Sequence, residues 1–110
     1  MIQKIDSYLG FARKAGDLVA GTGTCTILAK QKQLKLLIIT EDMAASGREK
    51  MERMAKNAKI PYRIYGDSEH IGNVTGRPGR TVFGVTERGF AEVILKEIDR
   101  ELAQQEEVQV

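Results

Sequence analysis

The sequence predicts an α/β protein, a three-layer α/β/α sandwich built on a mixed four-stranded sheet. Three observations carry that reading. Helix-period stretches alternate with short apolar strands along the chain. The run Leu36-Leu37-Ile38-Ile39 is apolar at every position and bounded by polar residues, as a strand covered on both faces must be. Stop signals stand where helices should end, Arg13-Lys14 before Gly16 and Pro61 after a second periodic stretch.

Taken in order, Ile2, Ile5, Leu9 and Ala12 recur at helical spacing and predict a first helix over residues 2–14. Residues 18–20 form a short strand. A helix over 22–33 follows, with Cys25, Leu28 and Ala29 inward and Gly23, Thr26, Lys30 and Gln33 on the opposite side. Leu36 to Ile39 belongs in the middle of the sheet. Ser46-Gly47-Arg48-Glu49 fits a capping box ahead of a helix that carries Met51, Met54, Ala55 and Ala58 on one face. A third strand over 62–65, a short helix over 68–74, a fourth strand over 81–85 and an amphipathic helix over 90–102 complete the set. The domain spans residues 1–103, and residues 104–110 are expected to fray.

At 110 residues the chain is long enough for one core and too short for a nucleotide-binding domain plus a substrate domain. Apolar and charged shares of 42% and 29% are those of an ordinary soluble globular protein. No apolar run approaches a bilayer-spanning length and the N-terminus has no leader pattern, so the expected location is cytoplasmic. Cys25 is the sole cysteine, which excludes an internal disulfide and a thiolate zinc site. The formal charge of +2 is unevenly spread. Residues 91–110 hold six acids against Lys96 and Arg100, a net of −4, which leaves +6 on residues 1–90 and a body that attracts polyanions.

Gly21-Thr22-Gly23-Thr24 is the first candidate site, a turn with almost no side-chain bulk that can present main-chain N–H groups and a helix N-terminus to an anion. It lacks the later glycine of a dinucleotide fingerprint and the Gly-Lys-Thr ending of a P-loop, so nucleotide hydrolysis is a poor reading. Arg77-Pro78-Gly79-Arg80 sets two cations in an open loop suited to phosphate or to stacking on unpaired bases. Lys30, Lys32 and Lys35 cluster at a helix end. Thr40-Glu41-Asp42 closes the apolar strand, and the role assigned to Asp42 is to start the following helix. His70 reads as an exposed helix histidine without metal-ligand company, and Cys25 as a packed thiol. These residues give no catalytic group, no metal site and no cofactor.

The set Leu9-Gly10-Phe11-Ala12-Arg13-Lys14-Ala15-Gly16, Leu18-Val19-Ala20-Gly21, Lys35 through Asp42, Ile60-Pro61-Tyr62, Ile71-Gly72, Arg80-Thr81-Val82 and Val85 through Ala91 resembles, in this order and spacing, a known family. It is the kink-turn-binding ribosomal protein family, the L-seven-Ae and L-thirty-e type, with its small bacterial YlxQ-like branch. The resemblance spans roughly residues 4–98. It implies a sandwich of the derived type and RNA binding through the start of the second helix and the loop before the last strand. In the family an Asn, a Glu and a Lys on that helix read sheared G·A pairs; the matching positions here hold Gly23, Thr24 and Ile27. What the resemblance leaves is backbone contact to phosphate at Gly21 to Thr24, with Arg77 to Arg80 adding electrostatic binding. The expectation is therefore a non-catalytic, monomeric, ribosome-associated protein whose partner is structured RNA, ribosomal RNA foremost. Its contacts are Gly21, Thr22, Gly23, Thr24, Thr26 and Lys30, then Asn73, Arg77, Gly79 and Arg80, with Arg13 and Lys14 extending the surface. The alternative is a protein-interaction module of the translation apparatus that kept the fold without tight RNA binding.

Overall fold

Ile5, Leu9 and Ala12 are all buried on one stripe of α1 (Lys4–Lys14), which is how the helical spacing in the sequence becomes packing. Further along lie β1 (Leu18–Ala20), α2 (Thr22–Lys30), β2 (Leu36–Ile39), α3 (Ala45–Ala58), β3 (Tyr62–Ile64), α4 (Ser68–Thr75), β4 (Val82–Val85) and α5 (Arg88–Gln109). The computed structural model describes residues 3–109, with side chains over residues 3–105. Ile2, expected on the inner stripe of α1, lies outside the described residues, as do Val110 and the side chains of the last acids.

The four strands form one sheet in the order β1-β4-β2-β3. β4 runs antiparallel to both β1 and β2, and β2 pairs in parallel with β3, so the sheet is mixed. β2 is an inner strand with every residue buried, as its unbroken apolar run requires. Alternate residues of the strands feed two cores. Leu36, Ile38, Phe83 and Val85 pack with Leu9 of α1, Ile71 of α4 and Ile94 and Ile98 of α5. Leu37, Ile39 and Val82 pack on the other face with Cys25 and Ala29 of α2 and Met51 and Ala55 of α3. Helices on both faces of one sheet make the three layers.

Several boundaries move for local reasons. The capping box is not formed: α3 starts at Ala45 behind Ala44, without a side-chain cap, and Ser46 is an exposed residue inside its first turn. A turn in which Met43 N–H donates to the Thr40 carbonyl (3.2 Å) delivers the chain to the helix early. Asp42 starts a helix, but a distant one, since its carboxylate accepts from the backbone N–H and hydroxyl of Ser68 at the head of α4. α5 begins at Arg88 rather than at residue 90 because Glu87 caps it, accepting from Gly89 N–H (2.8 Å) and Phe90 N–H (2.7 Å). It continues as helix to Gln109.

α2 stops at Lys30, short of residue 33, because Lys32 turns left-handed (φ 60°). The Gln33 N–H then reaches back to the Leu28 carbonyl (2.9 Å) and the Lys32 N–H to Ala29 (3.1 Å). α1, α3 and α4 close with the same pair of bonds, around Gly16, Lys59 and Gly76 in turn.

Candidate nucleic-acid interface

β1 ends at Ala20 and the chain must turn sharply to begin α2. Gly21 makes that turn with φ +102° and ψ 148°, a conformation closed to residues with a Cβ. Its N–H donates to the Val82 carbonyl (2.8 Å) and its carbonyl accepts from Cys25 N–H (3.1 Å), so one residue ends a strand and opens a helix. The next three N–H groups, on Thr22, Gly23 and Thr24, find no acceptor among the described residues, and all three residues are exposed. They carry the positive end of the helix dipole and form the natural seat for an anion. Thr26 lies one turn further along the same helix. Its hydroxyl proton is already given to the Thr22 carbonyl (2.7 Å), leaving only lone pairs outward.

Beside this helix start stands Arg80. The nearest atom to where a Cβ on Gly21 would sit is a guanidinium nitrogen of Arg80, at 3.8 Å. The loop that delivers Arg80 is seated on α4: Arg77 N–H donates to the Gly72 carbonyl (2.8 Å), and a Cβ on Gly72 would stand 3.1 Å from the Arg77 carbonyl oxygen and 3.2 Å from Pro78 Cα. Gly79, at φ +80°, then redirects the chain toward β4. Arg77, Pro78, Gly79 and Arg80 are all exposed, as is Asn73 one turn back on α4. Arg13 of α1 lays its guanidinium over Gly76, against the C-terminal end of α4, and so joins the same edge.

The sheet explains why these pieces meet. Thr40 N–H donates to the Thr81 carbonyl (2.9 Å) and Glu41 N–H to the Gly66 carbonyl (2.7 Å), so the segments after β1, β2 and β3 and the segment before β4 share one end of the sheet. The structure thus brings together Gly21, Thr22, Gly23 and Thr24 with Arg80, on the same edge as Arg77, Gly79 and Asn73. Lys30 is separated from them. Eight residues of helix place it about 12 Å along α2 from Thr22. The acids of this edge lie toward β3: the Asp42 carboxyl is held below its ordinary range by the Ser68 hydroxyl and stays ionised, turned to α4.

The remaining candidates are structural. Cys25 is fully buried, and burial pushes its thiol up to about 12, which leaves it protonated and inert. His70 sits exposed on α4 with Nε2 2.9 Å from Asp6 of α1. No group of three or more metal-ligating side chains gathers among the described residues, and none of their helices is long and apolar enough to cross a membrane. Lys50 is a residue that sequence reasoning missed. It lines a shallow depression of about 560 Å³ with Thr22, Gly23, Thr26, Ile27, Met43 and Gly47, because α3 lies alongside α2. Its only signal in the sequence was its place beside Met51 on the outer side of an amphipathic stretch.

Comparison with known proteins places the fold. The model of the "Ribosomal protein L7Ae/L30e/S12e/Gadd45 family" matches residues 3–95. "RNA-binding protein YlxQ" of Bacillus subtilis (strain 168) is 28% identical over 91 residues, covering 83% of this chain and 91% of that protein. "Large ribosomal subunit protein eL30" of Methanopyrus kandleri is 35% identical over 78 residues, covering 70% of this chain and 72% of that protein. A solved structure of a protein with unknown function from Bacillus halodurans superposes with a TM-score of 0.84 at 27% identity, over 87% of this chain and 97% of that one. With the family model matched over most of its length, the chain belongs to the ribosomal protein L7Ae/L30e/S12e/Gadd45 family, on its bacterial YlxQ-like branch.

Proposed function

We propose that this protein is a non-catalytic RNA-binding protein of the ribosome-associated kind, and that it grips the phosphates of a structured, kink-turn-like RNA. The observation that carries the reading is the pairing of three free N–H groups at Thr22, Gly23 and Thr24 with the Arg80 guanidinium beside Gly21. A backbone dipole and a cation aimed at one place favour a phosphate oxygen without asking which base it bears. Relatives whose names state RNA binding or a place in the large ribosomal subunit support the same class of partner.

Base reading is weaker than phosphate binding in this account. Gly23 has no side chain, and Ile27, exposed at 57%, offers neither donor nor acceptor to a G·A pair. The exposed Ile27 also favours a second reading, a protein-interaction module contacting its partner through that apolar side chain. Salt separates the two. With two to three phosphates neutralised, raising salt from about 50 to 200 mM should weaken RNA binding roughly 10- to 40-fold. Binding that ignores salt overturns the phosphate grip.

A further inference from the structure

The Lys32 and Lys59 helix ends stand apart from the other two. Four helices finish with the same bond pair around a left-handed residue, and α1 and α4 use Gly16 and Gly76 there, the residue that adopts the conformation freely. α2 and α3 use Lys32 (φ 60°) and Lys59 (φ 58°), the only non-glycine residues with positive φ among those described. The helix dipole favours a cation near a C-terminus, but a lysine one turn earlier would serve it with no left-handed backbone. These two lysines are neighbours in space. With Lys30, Lys50 and Arg53 they line a groove of about 600 Å³ between α2 and α3 whose other walls are Ala29, Met54, Asn57 and Ala58.

No carboxylate lines that groove, and none of its five cations forms an ion pair with a described residue. Glu52 of α3 is instead engaged with Arg48. Five like charges gathered around an apolar floor repel one another, and a polyanion between them relieves that repulsion. The groove is also continuous with the grip described above, since Lys50 lines both the groove and the depression at Thr22 and Gly23.

We propose that the α2–α3 groove is a second phosphate-backbone contact, along which an RNA arm runs from the Gly21 to Thr24 turn toward Lys59. This rests on the RNA-binding reading and extends its footprint. The rim takes phosphates, while the methylene and thioether floor takes the sugar face. RNA is favoured over an acidic protein segment because the track starts at the phosphate seat.

The test compares a kink-turn RNA bearing a long helical arm with the same RNA trimmed to a short arm, against the intact protein and three variants. Lys32→Gly with Lys59→Gly removes two charges and relieves both left-handed residues, so its thermal midpoint should hold or rise. Its affinity for the long-arm RNA should nevertheless fall about tenfold, with a salt slope shallower by roughly two, and its affinity for the short-arm RNA should not change. Arg53→Gln, which lines the groove and not the depression at Thr22, should lower long-arm affinity about threefold and leave short-arm affinity unchanged, without touching the helix ends. Arg77→Ala with Arg80→Ala should weaken both RNAs alike. Groove variants that bind both RNAs as the intact protein does overturn the groove contact while leaving the turn and loop standing. Loss of binding to polyglutamate with RNA affinity unchanged overturns it in favour of an acidic protein partner. An intact protein that binds neither RNA removes the RNA reading and the groove with it.

Discussion

Gly84 and Gly23 lie on two sides of one hydrogen bond, the link from Gly21 to Val82 that joins the sheet to the start of α2, and they are glycines for opposite reasons. A Cβ on Gly84 would collide with Leu34 and press on Val19 (3.1 Å) and the Cys25 sulfur (3.2 Å). A Cβ on Gly23 would meet nothing within 4 Å. The sheet interior therefore has no freedom left, while the helix start is held at Gly21 and open beyond it. Fold is decided by what cannot be added at the first place, and the proposed phosphate grip uses what has been left bare at the second.

That contrast can be broken by substitution, most severely in the sheet. Gly84→Ala should cost about 1–3 kcal/mol and lower the thermal midpoint by several degrees or more, since Leu34, Val19 and Cys25 must all yield. A melt matching the intact protein would mean that the packing there is loose. Gly21→Ala comes next. Its backbone conformation is strained for any residue with a Cβ, at about 1–3 kcal/mol, and RNA affinity should fall together with stability because the free N–H groups lose their aim.

A smaller effect is expected from acid. Asp42 and Glu87 both titrate lower in the folded chain than their ordinary values of 3.8 and 4.5, through hydrogen bonds from Ser68 and from Phe90 and Gly89. Their contribution is complete above those ordinary values and is lost as pH falls through the folded ones. The thermal midpoint of the intact protein should drop below about pH 4.5. In Asp42→Asn with Glu87→Gln the neutral-pH midpoint should be lower and the acid drop shallower. Equal acid sensitivity in both would place the titration elsewhere.

The smallest stability change should come from refilling the bare end. Gly23→Asn, Thr24→Glu and Ile27→Lys together replace exposed residues and should shift stability within about 0.5 kcal/mol. Affinity for a standard kink-turn should rise about tenfold or more, using the scale of a bidentate base contact, about 1–3 kcal/mol. If the native chain already favours a kink-turn by a hundredfold over one lacking its G·A pairs, base reading resides in other residues.

How far the sequence was legible follows the same division. Leu36 to Ile39, the stripe of α1 and the Gly16 and Pro61 stops were readable because burial and backbone geometry act on residue type directly. Only the family resemblance joined Gly21 to Arg80 in advance; the 3.8 Å approach depends on register between β1 and β4, which no local pattern encodes. Ser46 misled because the spacing of a capping box also occurs inside a helix, and only the turn at Thr40 to Met43 decides where α3 begins. Lys30 was grouped with the turn because both lie on α2, and only the length of that helix sets them at opposite ends. The groove partners Lys32 and Lys59 are 27 positions apart in the sequence and meet only through the packing of α2 on α3.

The central claim is that bare backbone at the start of α2 holds phosphate, and amide NMR during an RNA titration tests it most directly. The account predicts that the Thr22, Gly23 and Thr24 N–H resonances move downfield together with the Arg80 side-chain signals, that they shift more than any amide of β2, and that salt reverses the change. RNA that saturates the protein while those three amides stay in place would contradict it.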